Sequence, residues 1–268
     1  MSRRAYLTVA VLAFAAAPVA GGAQQRPLAA RVAAVRDGMA EFRFPSRSGV
    51  CGDGHSFIRV GEHMTVGNFS EGMYGRPCVP GPVRIVVSIA NGTVTRVKGY
   101  VGPEPAPSSG IVDLGTTTAA EGSSYLLDIA AIADGGKASR EAIFPALLGE
   151  DVVAWPRLLQ IARRDARDNE RKHSEATFWL GRYAAAKLNG SDIPFDSDES
   201  DKSDAEDVKE HAVFALSQLR GHEGVEPLIQ VARTNKDPNV RSKALFWLGE
   251  SRDPRAIDVF EEILKSRR

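Results

Sequence analysis

Four segments of this chain can be laid over one another on a single phenylalanine. Phe144, Phe178, Phe214 and Phe246 follow at spacings of 34, 36 and 32 residues, and an alanine stands two positions before each: Ala142, Ala176, Ala212 and Ala244. Two segments share Phe-Trp-Leu-Gly, at Phe178–Gly181 and Phe246–Gly249. A unit of that length cannot bury its apolar face alone, so copies must stack, and self-similarity at this period points to an α-helical solenoid. Each copy is expected to be a helical hairpin. Small Ala lets helices approach, and the large ring fills the space between layers. Gly181 and Gly249 are placed to end a first helix in the left-handed conformation. Second helices are expected over residues 155–162, 225–232 and 254–264, the last entered through Asp253-Pro254, a cap followed by a proline at the first helical position.

The final unit carries a family resemblance. Asp237-Pro238-Asn239-Val240-Arg241, an Ala-rich helix ending Leu248-Gly249, then Asp253-Pro254-Arg255-Ala256 and Phe260–Leu264 resemble a HEAT repeat of the PBS-lyase HEAT-like type. The preceding unit is similar in Val208-Lys209, Ala212, Leu216 and Pro227-Leu228. The resemblance covers residues 136–268, half the chain, and implies a protein-binding scaffold. It also implies that second helices line a concave face, where Arg157, Arg164 and Arg233 are the candidate binding residues. His173, Lys209 and Arg241 stand five positions before an aligned Phe, so sequential stacking would bring them into a basic ladder. In repeats of this type the Arg after Val is expected to pair with an Asp of a neighbouring turn.

One unit departs from the pattern. Where its second helix should be, residues 189–207 are polar and acidic. Asp196, Asp198, Ser200, Asp204 and Asp207 fall at the spacings of a calcium loop, but Asp201 replaces the turn glycine and Asp207 the bidentate Glu. A solvated insertion that caps the next helix accounts for the same residues.

The other half of the chain reads differently. Ser2-Arg3-Arg4, the uncharged run Ala5–Ala20 and the small residues Gly21-Gly22-Ala23 form the three-part pattern of a secretory signal. Cleavage is expected after Ala23, or after Ala20; a membrane anchor is the rival reading of a run this short. Export to a bacterial periplasm or medium follows, with no membrane insertion of the mature chain. Residues 24–101 form a small β-rich region. Its best signal is Val83–Ala90 and Thr93–Tyr100 joined by Asn91-Gly92, a hairpin whose type I′ turn needs positive φ at both central positions. Alternation in the second strand is imperfect and leaves the register open. Cys51 and Cys78, the chain's two cysteines, are expected to pair in an oxidising compartment. Such a bridge stabilises by about 3 kcal/mol on chain-entropy grounds. Residues 102–120, with prolines at 103, 105 and 107, read as a linker, and residues 121–268 as helical repeats, the first helix capped by Ser123 or Ser124. The fold class is therefore mainly α: a HEAT-like solenoid of about four repeats behind a small β-rich region.

Charge narrows the partner. Formal net charge is zero, and removal of the first 23 residues leaves 32 basic and 34 acidic side chains, so no global field draws the chain to nucleic acid. No nucleophile elbow, zinc-helix motif, phosphate loop or dinucleotide fingerprint occurs, so neither catalysis nor a cofactor is expected. The leading expectation is a protein-binding scaffold. The alternative is a small enzyme or a ligand or metal sensor, with a site in the β region around Cys51, Asp53, His55 and His63.

Overall fold

A computed structural model describes residues 26–61, 64–67, 77–104, 109–132, 136–168, 173–188, 190–191, 193–195 and 212–266. After a short helix, α1 (Leu28–Ala33), the chain builds two four-stranded sheets. The first contains β1 (Gly38–Phe44), β6 (Val83–Ala90), β7 (Thr93–Tyr100) and β8 (Ile111–Thr116) in the order β7-β6-β1-β8. The second contains β2 (Val50–Gly52), β3 (Phe57–Val60), β4 (Met64–Gly67) and β5 (Val79–Pro80) in the order β4-β3-β2-β5. Cys51 and Cys78 are bonded, with Cα atoms 5.2 Å apart, tying β2 to the approach to β5.

The hairpin forms as its turn residues dictate, with Asn91 at φ 51° and Gly92 at φ 72°. Its register explains the imperfect alternation. Ser88 pairs with Arg96 and Ile89 with Val94, so Thr95 is an extra residue in a bulge. The expected linker is a different matter. Inside residues 102–120 lies β8, which runs parallel to β1 as the sheet's outermost strand. Proline and glycine dominate the local composition, but Ile111-Val112-Asp113-Leu114 is apolar enough to add a strand to an edge already built. Asp113 holds it there, accepting hydrogen bonds from Arg43 Nη1 at 2.9 Å and from Gly115 N at 2.7 Å.

The first long helix, α2 (Ala119–Ala130), starts earlier than Ser123 or Ser124 suggests. Thr118 is its cap, with Oγ1 accepting from the Glu121 amide at 3.1 Å. Ser123 is instead buried inside the helix, past its first turn. Gly122 lets the helix lie against β1, since a Cβ there would stand 2.5 Å from Phe44 Cδ1. The aligned helix of the first unit is broken into α3 (Lys137–Glu141) and α4 (Ile143–Ala146). Pro145 lacks the N–H that would bond to the Glu141 carbonyl.

The remaining helices are α5 (Trp155–Asp168), α6 (His173–Leu188), α7 (212–217), α8 (Val225–Thr234), α9 (Pro238–Glu250) and α10 (Pro254–Lys265), with a 3-10 turn at Arg220–His222. Asp237 and Asp253 cap α9 and α10 ahead of Pro238 and Pro254. Buried apolar residues from Leu28 to Leu264 form one continuous core, so sheet and helices are not separate bodies. Arg47, itself buried, crosses the junction and donates to the carbonyls of Gly149 (3.3 Å) and Val152 (3.0 Å).

The helical hairpins do not stack in the order in which the chain makes them. The strongest helix contact is between α6 and α9. Phe178 meets Phe246 at a centroid distance of 6.0 Å, and Phe214 meets Trp247 at 5.1 Å. One layer therefore runs α6, α9, α7, and the other runs α5, α10, α8. The last hairpin is wedged between the two that precede it, and α7–α8 stands at the free end. Two expectations change as a result. First, Gly181 and Gly249 do not end helices; both lie within them, where α6 and α9 touch. A Cβ on Gly181 would stand 2.7 Å from the Leu245 carbonyl oxygen and 3.3 Å from Gly249 Cα. Second, the alanine column splits: Ala142, Ala176 and Ala244 are fully buried, and Ala212, at the free end, is exposed.

Candidate protein-binding surface

Along α5, α10 and α8, charged side chains reach across from helix to helix. Arg157 Nη2 lies 2.8 Å from Asp128 Oδ1 of α2. Arg163 pairs with both Asp258 and Glu261 of α10. Arg233 Nη2 lies 2.8 Å from Glu262 Oε2, and Arg255 Nη1 lies 3.7 Å from Glu226 Oε2. These exposed pairs are each worth at most about 1 kcal/mol, but together they fix which helix lies beside which. Two candidate binding arginines, Arg157 and Arg233, are thus engaged within the array. The third, Arg164, has no ion-pair partner among the described residues, and one of its guanidinium nitrogens is buried without a hydrogen bond.

Arg241 closes a turn: its Nη1 donates to the carbonyls of Asn235 (2.8 Å) and Lys236 (3.2 Å), between α8 and α9. Of the expected basic ladder only the side chain of Arg241 is described, and it is spent on this turn. Lys209 and the side chain of His173 lie outside the described residues, as do the calcium-loop positions Asp196, Asp198, Ser200, Asp204 and Asp207.

On the opposite layer the rings form an unbroken chain. Phe195 contacts Trp179 at 5.3 Å, Trp179 contacts Phe178 at 5.1 Å, and Phe246 contacts Trp247 at 5.0 Å, with Phe144 stacked on Trp179 at 5.7 Å. Offset and edge contacts of this kind each add about 0.5–1.5 kcal/mol beyond area burial. Glu175, at the start of α6, accepts a hydrogen bond from Trp179 Nε1 at 2.8 Å. Burial raises its pKa above the ordinary carboxylate value, and nearby Glu250 adds to the rise. The ring chain ends at Phe214, 43% exposed, near Leu219, 47% exposed. An interior unit of a solenoid would cover both.

The β-region alternative loses its nucleophile, because Cys51 is in the disulfide. Asp53 organises its own loop. It accepts from the amides of His55 (3.0 Å), Ser56 (2.8 Å) and Phe57 (3.2 Å) and from Ser56 Oγ (2.5 Å). Partial burial works against its ionisation, yet these bonds hold it well below the usual carboxylate range. His55 is exposed, His63 lies outside the described residues, and no group of metal-binding side chains occurs among the described residues. No described helix is long and apolar enough to cross a membrane.

A stacked array of helical hairpins, tied by cross-helix ion pairs, is the architecture of the helical repeat proteins. Residues 198–268 match the family model for HEAT repeats, and the C-terminal part of the chain is a HEAT-like repeat array. HEAT repeats generally mediate protein–protein interactions. Neither a curated protein nor a solved structure matches the chain.

Proposed function

We propose that this chain is an exported scaffold that binds another protein through the free end of its helical array, in the bacterial periplasm or outside the cell. The observation that carries this reading is the asymmetry of the two ends. Sheet β7-β6-β1-β8 and α2 cover one end, while α7–α8 leaves Phe214 and Leu219 open. Solenoids need capped ends to stay soluble alone, so an open apolar end is matched by a partner. Export is supported by the Arg3-Arg4 and Ala5–Ala20 pattern and by the Cys51–Cys78 bond.

Two measurements test it. The N-terminus of the mature protein recovered from its host should begin at Gln24 or Gly21; an uncleaved chain in the cytosolic fraction would remove the export half of the proposal. A photoreactive side chain at position 214 should crosslink to one protein in living cells, and the same group at exposed Val112 on β8 should not. Equal labelling from both positions would remove the scaffold half.

A further inference from the structure

Where α7 turns towards α8, beside the end of α9, a cleft of about 340 Å³ opens. Its apolar floor is Leu216, Leu219, Val225, Leu228 and the Trp247 ring, and Gly224 lets the turn close, since a Cβ there would overlap the Leu216 carbonyl oxygen. The polar wall consists of Ser217, His222, Glu250 and Ser251. Most of that wall is already in use. Ser217 Oγ donates to the Phe214 carbonyl and Ser251 Oγ to the Leu248 carbonyl, both at 2.7 Å. His222 Nδ1 lies 3.4 Å from Asp253 Oδ2. Glu250 differs: among the described residues its carboxylate has neither a hydrogen bond nor an ion pair. Glu175 is close enough to Glu250 for the two carboxyl groups to interact, and it is not part of the lining. Arg220, in the 3-10 turn, and Arg252, between α9 and α10, do not line the cleft.

An apolar floor with one unused carboxylate at its lip complements a side chain with an aliphatic stem and a cationic head. We propose that this cleft seats an arginine or lysine side chain of the partner protein, its stem against Leu219, Leu228 and Trp247 and its charge on Glu250. The inference rests on the scaffold reading above and names the chemistry of the partner. Concave, partly apolar sites of this volume with a few convergent polar groups are the usual form of a ligand pocket.

The test uses the full mature chain and two blocked amino acids of nearly the same shape, N-acetylarginine amide and N-acetylcitrulline amide. Followed by NMR, the arginine probe should move the Trp247 indole and Gly224 amide resonances to saturation. The uncharged citrulline probe should need at least tenfold more to do the same. Glu250→Gln should weaken the arginine probe at least tenfold with spectral dispersion unchanged, and Glu223→Gln, outside the lining, should not. Equal binding of the two probes, arginine binding untouched by Glu250→Gln, or shifts confined to other residues would overturn the assignment. Its failure is distinguishable from failure of the scaffold reading. If arginine ignores the cleft while position 214 still crosslinks to one protein, only the cleft assignment falls; if arginine binds but no protein crosslinks, only the scaffold does.

Discussion

Gly181 shows how one residue type can serve two opposite purposes. In sequence it closes Phe-Trp-Leu-Gly, and a glycine after an apolar helical run reads as a stop. In the fold it is the point where α6 and α9 touch backbone to backbone. Nothing local separates the two roles, because both need the missing Cβ, and only the neighbour decides. Gly181→Ala should therefore destabilise by about 2 kcal/mol, overpacking against the Leu245 carbonyl despite better helix propensity. Gly249→Ala, whose Cβ would have 3.2 Å to Phe178 Cα, should cost about 1 kcal/mol or less. Urea midpoints at unchanged m separate the two. Glu175 gives a second test. Its folded pKa is raised above the ordinary value of 4.5 by burial, so the folded state holds this proton more tightly than the unfolded chain does. Its contribution to stability is fully present below the unfolded pKa and is lost as pH rises through the folded one. Glu175→Gln keeps an acceptor for Trp179 Nε1 and removes that loss. The melting temperature of the variant relative to the parent should rise between pH 4.5 and neutrality; a constant difference would refute the account. Asp53, Glu121 and Asp253 are shifted the other way and titrate alike in both proteins, so they cancel in the comparison.

At the scale of elements, legibility tracked how local the determining physics is. The β6–β7 hairpin was readable from Asn91-Gly92 because its turn geometry is set by two residues. Its register was not, because the bulge at Thr95 depends on what each face packs against. Strand β8 was hidden among prolines: its pairing partner lies some seventy residues earlier, and no local pattern records that. The start of α2 was misplaced although its signal is local. Thr118 and Glu121 form a T-x-x-E capping pair visible in sequence, whereas Ser123 and Ser124 offer a capping hydroxyl with no acidic residue three positions on. Glu121 does more than cap. Its carboxylate accepts from the Leu28 amide at 2.6 Å and from the Thr117 hydroxyl, and these bonds hold its pKa below the ordinary value. Thr118→Ala should cost about 1 kcal/mol, as lost caps do. Glu121→Ala should cost more and should also release α1, seen as faster amide exchange from Leu28 to Val32 while β1 stays protected. Unchanged exchange in α1 would show that its apolar contacts alone hold it.

For the whole molecule, the repeat period established the architecture but not the order of assembly. The Ala/Phe columns say that hairpins stack; they do not say which hairpin stands beside which. That is decided by which faces fit, here the paired glycines of α6 and α9 and the ion pairs from α5 to α10 and from α10 to α8. The candidate surface was half legible for the same reason. Arg157 and Arg233 lie on α5 and α8, with partners on α2 and α10 that sequential order also supplies; the pair it would not supply is Arg163 of α5 with Asp258 and Glu261 of α10. The cleft at Glu250 joins α7, α8 and α9, which the repeat order sets side by side, but nothing in the sequence marks a carboxylate left unpaired at its lip. A deletion makes the point measurable. In a sequential solenoid, losing the last helix shortens the array and leaves the rest folded. Here, ending the chain after Ser251 removes α10 from between α5 and α8. The truncated protein should lose protection in both, not only in α9; retention of native exchange rates in α5 would argue for sequential order after all.

The wedged position of α9–α10 also bears on how the protein is made. A ribosome delivers α7–α8 before the pair that will separate it from α6, so the central gap stays open until α9 and α10 emerge. The finished array cannot form piecemeal from its leading end. A polypeptide that lacks α9–α10 remains threadable, which fits the export proposed above.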